Sequence, residues 1–223
     1  MLNIRTILFD LDGTLADTAP DLGFALNTLL QEESRQAIAH ALIRPEASHG
    51  ARGLIKLGFG LTPADAEFER LRERFLKLYA DNLCRLTTLF PGVPELLDKL
   101  KKRNINWGIV TNKPAFLTDC LVAELGLTDL AICVVSGDST KNSKPHPEPV
   151  LYACKQTGST IEQSLFVGDA ERDIKAGKGA GMKTLIALYG YLRAEDKPEE
   201  WGADGMVRSP LEILDWLEVP TQK

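Results

Sequence analysis

The chain has 223 residues, 44% hydrophobic and 26% charged, with 26 basic against 31 acidic side chains and a net charge of −5. That composition fits one folded domain, or one core carrying an insert, and excludes disordered, collagen-like and coiled-coil chains. The acidic balance argues against nucleic acid as a partner, and the longest apolar run, residues 130–135, falls far short of the about 20 residues of a membrane span.

Residues 4–9 form a β-branched apolar run ending at Asp10, which reads as a buried strand. Residues 20–30 carry apolar side chains at helical spacing, and residues 37–43 and 51–57 repeat the pattern over shorter stretches. Thr62-Pro63 looks like a helix start, with Thr62 as N-cap and Pro63 in the first turn, opening a charged helix that runs to about residue 83. Residues 17–86 thus carry helical signals alone. Beyond Pro91-Gly92 helices and strands alternate. Helices are predicted at 93–102, 114–125, 147–156, 172–180 and 210–217, and strands at 107–110, 132–136, 164–167 and 184–188. Such alternation implies βαβ units and a parallel sheet. The expected architecture is an α/β core with a Rossmann-like parallel sheet, residues 1–16 and 87–223, carrying a small all-helical cap, residues 17–86.

No basic region followed by a long apolar stretch opens the chain, so a cytoplasmic protein is expected. Cys84, Cys120, Cys133 and Cys154 form no CxxC pair, and all four are expected to be reduced and structural.

Four groups of residues carry chemistry, each placed at a strand end. In Asp10-Leu11-Asp12-Gly13-Thr14 two carboxylates stand close together and repel unless a cation or proton separates them. Mg²⁺ is one solution, leaving one carboxylate to attack phosphorus and the other to move a proton. An Asx turn or helix N-cap explains the pair equally. Thr111-Asn112 can donate to phosphate oxygens or cap the next helix. Lys144, held before Pro145, can bind an anion or stay a solvated loop residue. Asp169 and Asp173 lie one helical turn apart, facing one point, and suit a metal ligand with a supporting carboxylate or a helix N-terminus.

Together these groups resemble, in order and spacing, the haloacid dehalogenase-like hydrolase superfamily, over nearly the whole chain. The resemblance implies that Asp10 is a nucleophile forming an aspartyl-phosphate and that Asp12 is the acid and base. It implies that Thr111, Asn112 and Lys144 hold the phosphoryl oxygens. Mg²⁺ would be held by Asp10, the Asp12 carbonyl and Asp169, with Asp173 behind. The presence of Asp12 argues against the dehalogenase branch.

Asp17-Thr18-Ala19-Pro20-Asp21-Leu22 looks like the phosphoglycolate phosphatase branch. Ser48-His49-Gly50-Ala51-Arg52, Val110 to Pro114, Asn142 to Pro145, Tyr189-Gly190-Tyr191 and Trp201 to Asp204 together resemble bacterial N-acetylmuramic acid 6-phosphate phosphatases of peptidoglycan recycling. Either substrate pairs a phosphate with a carboxylate, so a cap cation is expected: Arg52 first, then Lys56, with Arg44 less suited. Ser48, His49 and Gly50 are candidates for touching substrate, Gly50 because glycine allows close backbone approach. The expected partner is a small phosphorylated metabolite, with no nucleic acid and no membrane, for a monomer or homodimer. A sugar phosphomutase and a non-catalytic phosphate-binding protein are the alternatives.

Overall fold

A computed structural model describes residues 4–217. Its main sheet has six strands in the order β5-β4-β1-β6-β7-β8, all paired in parallel. The strands are β1 Thr6–Phe9, β4 Asn106–Val110, β5 Val134–Val135, β6 Ser164–Gly168, β7 Lys183–Ala187 and β8 Gly205–Val207. Period-two alternation sends Ile7 and Phe9 into one apolar layer and Leu8 into the other. On the first face lie α5 (Val93–Lys102), α6 (Ala115–Glu124) and α9 (Ile213–Trp216). On the second lie α7 (Glu148–Thr157) and α8 (Glu171–Gly179). Both faces being covered explains why the strands read as apolar runs rather than as alternating ones.

Four helices form the segment inserted after β1: α1 Ala19–Glu32, α2 His40–Ile43, α3 Gly50–Phe59 and α4 Phe68–Ala80, with a 3₁₀ turn at Arg44–His49. Helices α1, α3 and α4 pack on one another through Leu26, Leu30, Leu54, Leu71 and Phe75. At the base of the segment β2 (Ala16–Asp17) pairs antiparallel with β3 (Thr88–Leu89). Beside that ribbon the buried Asp21 carboxylate accepts the Leu86 and Thr87 N–H groups and the Thr87 hydroxyl, at 2.7–3.1 Å.

Several expectations change. Thr62 does not cap a helix: its N–H and hydroxyl donate to Asp65 Oδ2 at 2.7 and 2.9 Å, closing a turn, and the helix begins at Phe68. Residues 16–17 and 88–89 make a short ribbon at the two ends of the predicted helical segment, where no strand is predicted, and β8 is likewise absent from the sequence reading. Of the four free cysteines Cys120 is exposed, whereas Cys133 and Cys154 are buried in the core. No helix among the described residues is long and apolar enough to cross a membrane.

Candidate active site

The chain leaves β1 toward β4 and β5 on one side, then returns to place β6, β7 and β8 on the other. That reversal opens a crevice at the C-terminal strand ends. Asp10 follows β1, with its N–H still on Val167 O at 2.9 Å. Thr111 follows β4, with its N–H on Val135 O at 2.9 Å. Asp169 follows β6. The sheet's own hydrogen bonds thus deliver the polar groups to one edge.

One oxygen from each of Asp10, Asp169 and Asp173 lies within 4.8 Å of the other two, and all three residues are at most 2% exposed. Burial, with Asp173 adding repulsion against the attraction of Lys144, raises the Asp10 carboxyl above its ordinary range. Burial, then the charges of Asp10 and Asp173, pushes Asp169 up to about 7. Lys144 opposes this repulsion. Its fully buried ammonium lies 2.9 Å from Asp10 Oδ1, 2.7 Å from Asp173 Oδ1 and 2.6 Å from Val110 O. Asp173 Oδ1 nonetheless has no well-directed hydrogen bond. Crowded, buried carboxylate oxygens with incomplete donors suit a hard divalent cation.

Asp12 points elsewhere. Its Oδ1 accepts the Thr18 hydroxyl at 2.6 Å and the Lys113 ammonium at 2.8 Å, and its side chain lies outside the three-carboxylate cluster. Burial alone would lower Lys113, but Asp12 and Tyr79 outweigh it and hold the ammonium above the usual lysine range. That ammonium stands 4.5 Å over the Tyr79 ring of α4. Gly13 is required between these carboxylates. Its φ is +87°, and a Cβ there would fall 2.1 Å from Asp169 Oδ2.

A cavity of about 690 Å³ opens over this edge, between the strand ends and the inserted helices. It is lined by Asp10, Asp12, Thr111, Asn112 and Lys144 from below and by Ser48, His49, Gly50, Arg52 and Lys56 from α3 and its approach. Asp169 and Asp173 are buried behind that lining. Arg44 does not line it; it pairs with Asp17 at 2.7 Å. Asn112 spends its amide on Lys144, accepting that residue's N–H at 3.0 Å and donating to its carbonyl at 2.8 Å. The Ser48 hydroxyl donates to Asp169 Oδ2 at 2.6 Å, beside the Tyr191 N–H at 2.9 Å. His49 is held below its ordinary pKa by burial and by Arg193 and Arg172, so it is neutral near pH 7. At Gly50 an added Cβ would meet nothing within 4 Å, so its φ of +56° is the reason for glycine there, not crowding.

Lys113, Tyr79, Arg72, Arg172 and Arg193 also line the cavity, and sequence reasoning did not select them. Lys113, next to Thr111-Asn112 at a strand end, carried a usable signal. Arg193 carried none, because the loop after β7 brings it over.

Residues 7–187 match the family described as haloacid dehalogenase-like hydrolase. The chain is 42% identical, over 95% of its length and 95% of the relative's, to N-acetylmuramic acid 6-phosphate phosphatase of Pseudomonas putida. It is 40% identical, with the same coverage of both chains, to phosphoglycolate phosphatase of Xanthomonas campestris pv. campestris. The crystal structure of a predicted phosphoglycolate phosphatase from Haemophilus somnus superposes with a TM-score of 0.85 at 29% identity, covering 97% of this chain and 99% of that one. The chain therefore belongs to the haloacid dehalogenase-like hydrolases, as an enzyme of the phosphoric monoester hydrolase class.

Proposed function

We propose that this phosphatase hydrolyses a carboxylated, sugar-sized phosphomonoester, N-acetylmuramic acid 6-phosphate ahead of 2-phosphoglycolate, with Mg²⁺ in the Asp10–Asp169 cluster. The cavity carries the choice. Its 690 Å³ lies in the range of sites for multi-ring or sugar-sized ligands. Phosphoglycolate would leave most of that space to water. The wall above the strand ends combines apolar Phe75, Leu76 and Tyr79 with Arg52 and Lys56. Such a wall suits an acetamido sugar bearing a carboxylate.

In this reading residues 17–86 are a cap that encloses the substrate. Asp10 Oδ1 already accepts the Leu11 N–H at 2.8 Å and faces Lys144, which leaves Oδ2 to attack phosphorus. The Asp10–phosphorus bond forms as the ester bond to the leaving oxygen breaks. Asp12 gives that oxygen its proton, then takes one from the water that cleaves the aspartyl-phosphate, and orthophosphate leaves. Thr111 and Lys144 orient the phosphoryl oxygens, and Asn112 fixes the Lys144 main chain. Bound at the carboxylates, Mg²⁺ supplies charge neutralisation for the transferring group. The residues fit it: Asp10 and Asp169 present oxygens, and Asp173 with Lys144 holds them in place.

The test is phosphate release from both substrates with Mg²⁺ and with chelator. The proposal expects a higher kcat/KM for the muramic acid ester and loss of turnover in chelator. A preference for phosphoglycolate refutes the size argument, and full turnover without metal refutes the site.

A further inference from the structure

We propose that Arg172 is a second phosphoryl clamp, donating to a non-bridging oxygen of the phosphoryl group while Asp10 Oδ2 attacks. The proposal rests on the phosphatase reading above and adds a substrate-touching residue to it. Arg172 stands in the first turn of α8, between Asp169 and Asp173 in sequence, and its side chain is only 18% exposed. Its guanidinium reaches no hydrogen-bond acceptor among the described residues. The nearest carboxylate oxygen, Asp10 Oδ2, lies 3.9 Å away, beyond hydrogen-bond distance.

Three other cations lining the cavity each reach a carboxylate within hydrogen-bond distance, although Arg193 Nε stays unpartnered. Lys144 has two carboxylates and a carbonyl, Lys113 has Asp12, and Arg193 has Glu46. The Arg172 donors are not sealed in the core but open to the cavity, where an anionic oxygen can take the place of water. Arg172 lines the cavity, so the acceptor comes from what the cavity holds.

Geometry selects the phosphoryl end of the substrate over its carboxylate. Arg172 borders Oδ2, the Asp10 oxygen that neither Lys144 nor the Leu11 N–H holds. A phosphoryl oxygen at about 2.8 Å from the guanidinium fits beside that oxygen when phosphorus approaches it. Arg172 then flanks the reacting group opposite Lys144, and its charge offsets the negative charge gathered on the equatorial oxygens. It exchanges no proton and stays cationic throughout.

The experiment compares wild type, Arg172→Ala and Arg172→Lys, each loaded with Mg²⁺. Turnover is measured on p-nitrophenyl phosphate and on the carboxylated ester. Calorimetry gives the affinity for orthophosphate and, separately, for Mg²⁺ alone. Arg172→Ala should lose about 10²-fold or more in kcat/KM on both substrates, as removal of a positioned donor to a developing oxyanion does. Orthophosphate should bind more weakly. Arg172→Lys should recover part of the loss, because the ammonium keeps the charge but not the planar fork. Mg²⁺ alone should bind at least as tightly, since a cation has left the neighbourhood of the carboxylates.

Unchanged turnover on both substrates overturns the proposal. So does a loss confined to the carboxylated ester, which makes Arg172 a carboxylate reader. Weaker Mg²⁺ binding in both variants also overturns it and makes Arg172 a support of the acid cluster. Wild type that releases no phosphate from either ester sinks the phosphatase reading, and this assignment with it. The variants, by contrast, test Arg172 alone.

Discussion

Replacing Lys144 with methionine keeps most of the side-chain volume and removes only the charge and its three partners. The ammonium is fully buried, 2.9 Å from Asp10 Oδ1, 2.7 Å from Asp173 Oδ1 and 2.6 Å from Val110 O. Two buried carboxylates then face each other without it. Removing one partner of a buried ion pair destabilises by about 3–5 kcal/mol. The Asp10 carboxyl, already raised by burial, can escape by taking up a proton. Its folded-state pKa then rises further above the unfolded one, so the stability present in acid is lost as pH rises through the folded value. The full loss therefore appears at about pH 7 and shrinks toward about pH 5. If Mg²⁺ occupies the cluster as proposed, it should also relieve the loss by supplying the missing positive charge. Urea unfolding of wild type and Lys144→Met at both pH values, with and without Mg²⁺, measures this. A loss below about 1 kcal/mol at neutral pH, or one indifferent to both pH and Mg²⁺, refutes the reasoning.

Asp10→Asn should abolish turnover, by several orders of magnitude, in a protein that stays folded; phosphate release at the wild-type rate sinks the nucleophile assignment. Mg²⁺ affinity should climb from about pH 5 to about pH 8, because Asp169, pushed up to about 7, must shed its proton before a cation can use it, and calorimetry should record protons released on binding. A flat affinity across that range removes Asp169 from the metal site. Arg52→Ala should weaken kcat/KM for the carboxylated ester by about 1.5–3 kcal/mol and barely change hydrolysis of p-nitrophenyl phosphate. Equal losses on both substrates make Arg52 a support of the cap rather than a carboxylate contact.

The core was legible because its signals are local. Apolar runs ending in Asp10, Thr111 and Asp169 declare buried parallel strands and their functional edge at once, and α5 spans Val93–Lys102 as its periodicity predicts. What escaped depends on distant partners. The ribbon of β2 and β3 has four residues whose pairing partners lie across the whole inserted segment. Thr62 looked like a cap, but it closes on Asp65 instead. Asp12 and Asp173 were recognised by motif, yet the Lys113 and Lys144 that fix their orientation come from other loops. Arg172 sat inside a recognised motif and was passed over, because its exposure and lack of an acceptor belong to three dimensions.

The Asp21 clasp bears on how the chain folds. One carboxylate near the start of the inserted segment gathers donors from Leu86 and Thr87, 65 and 66 positions later. Closing so long a loop carries an entropy that grows only slowly with length, but it must be met before any of those hydrogen bonds forms. If α1 docks before residues 86–87 arrive, the Asp21 carboxyl is buried without its donors. Partial docking of the helices is thereby penalised, and the segment forms as one cooperative unit. In native-state hydrogen exchange the Leu86 and Thr87 amides, although they lie outside the helices and strands, should open together with the buried helix α1, and exchange as fast as that of loop amides refutes this.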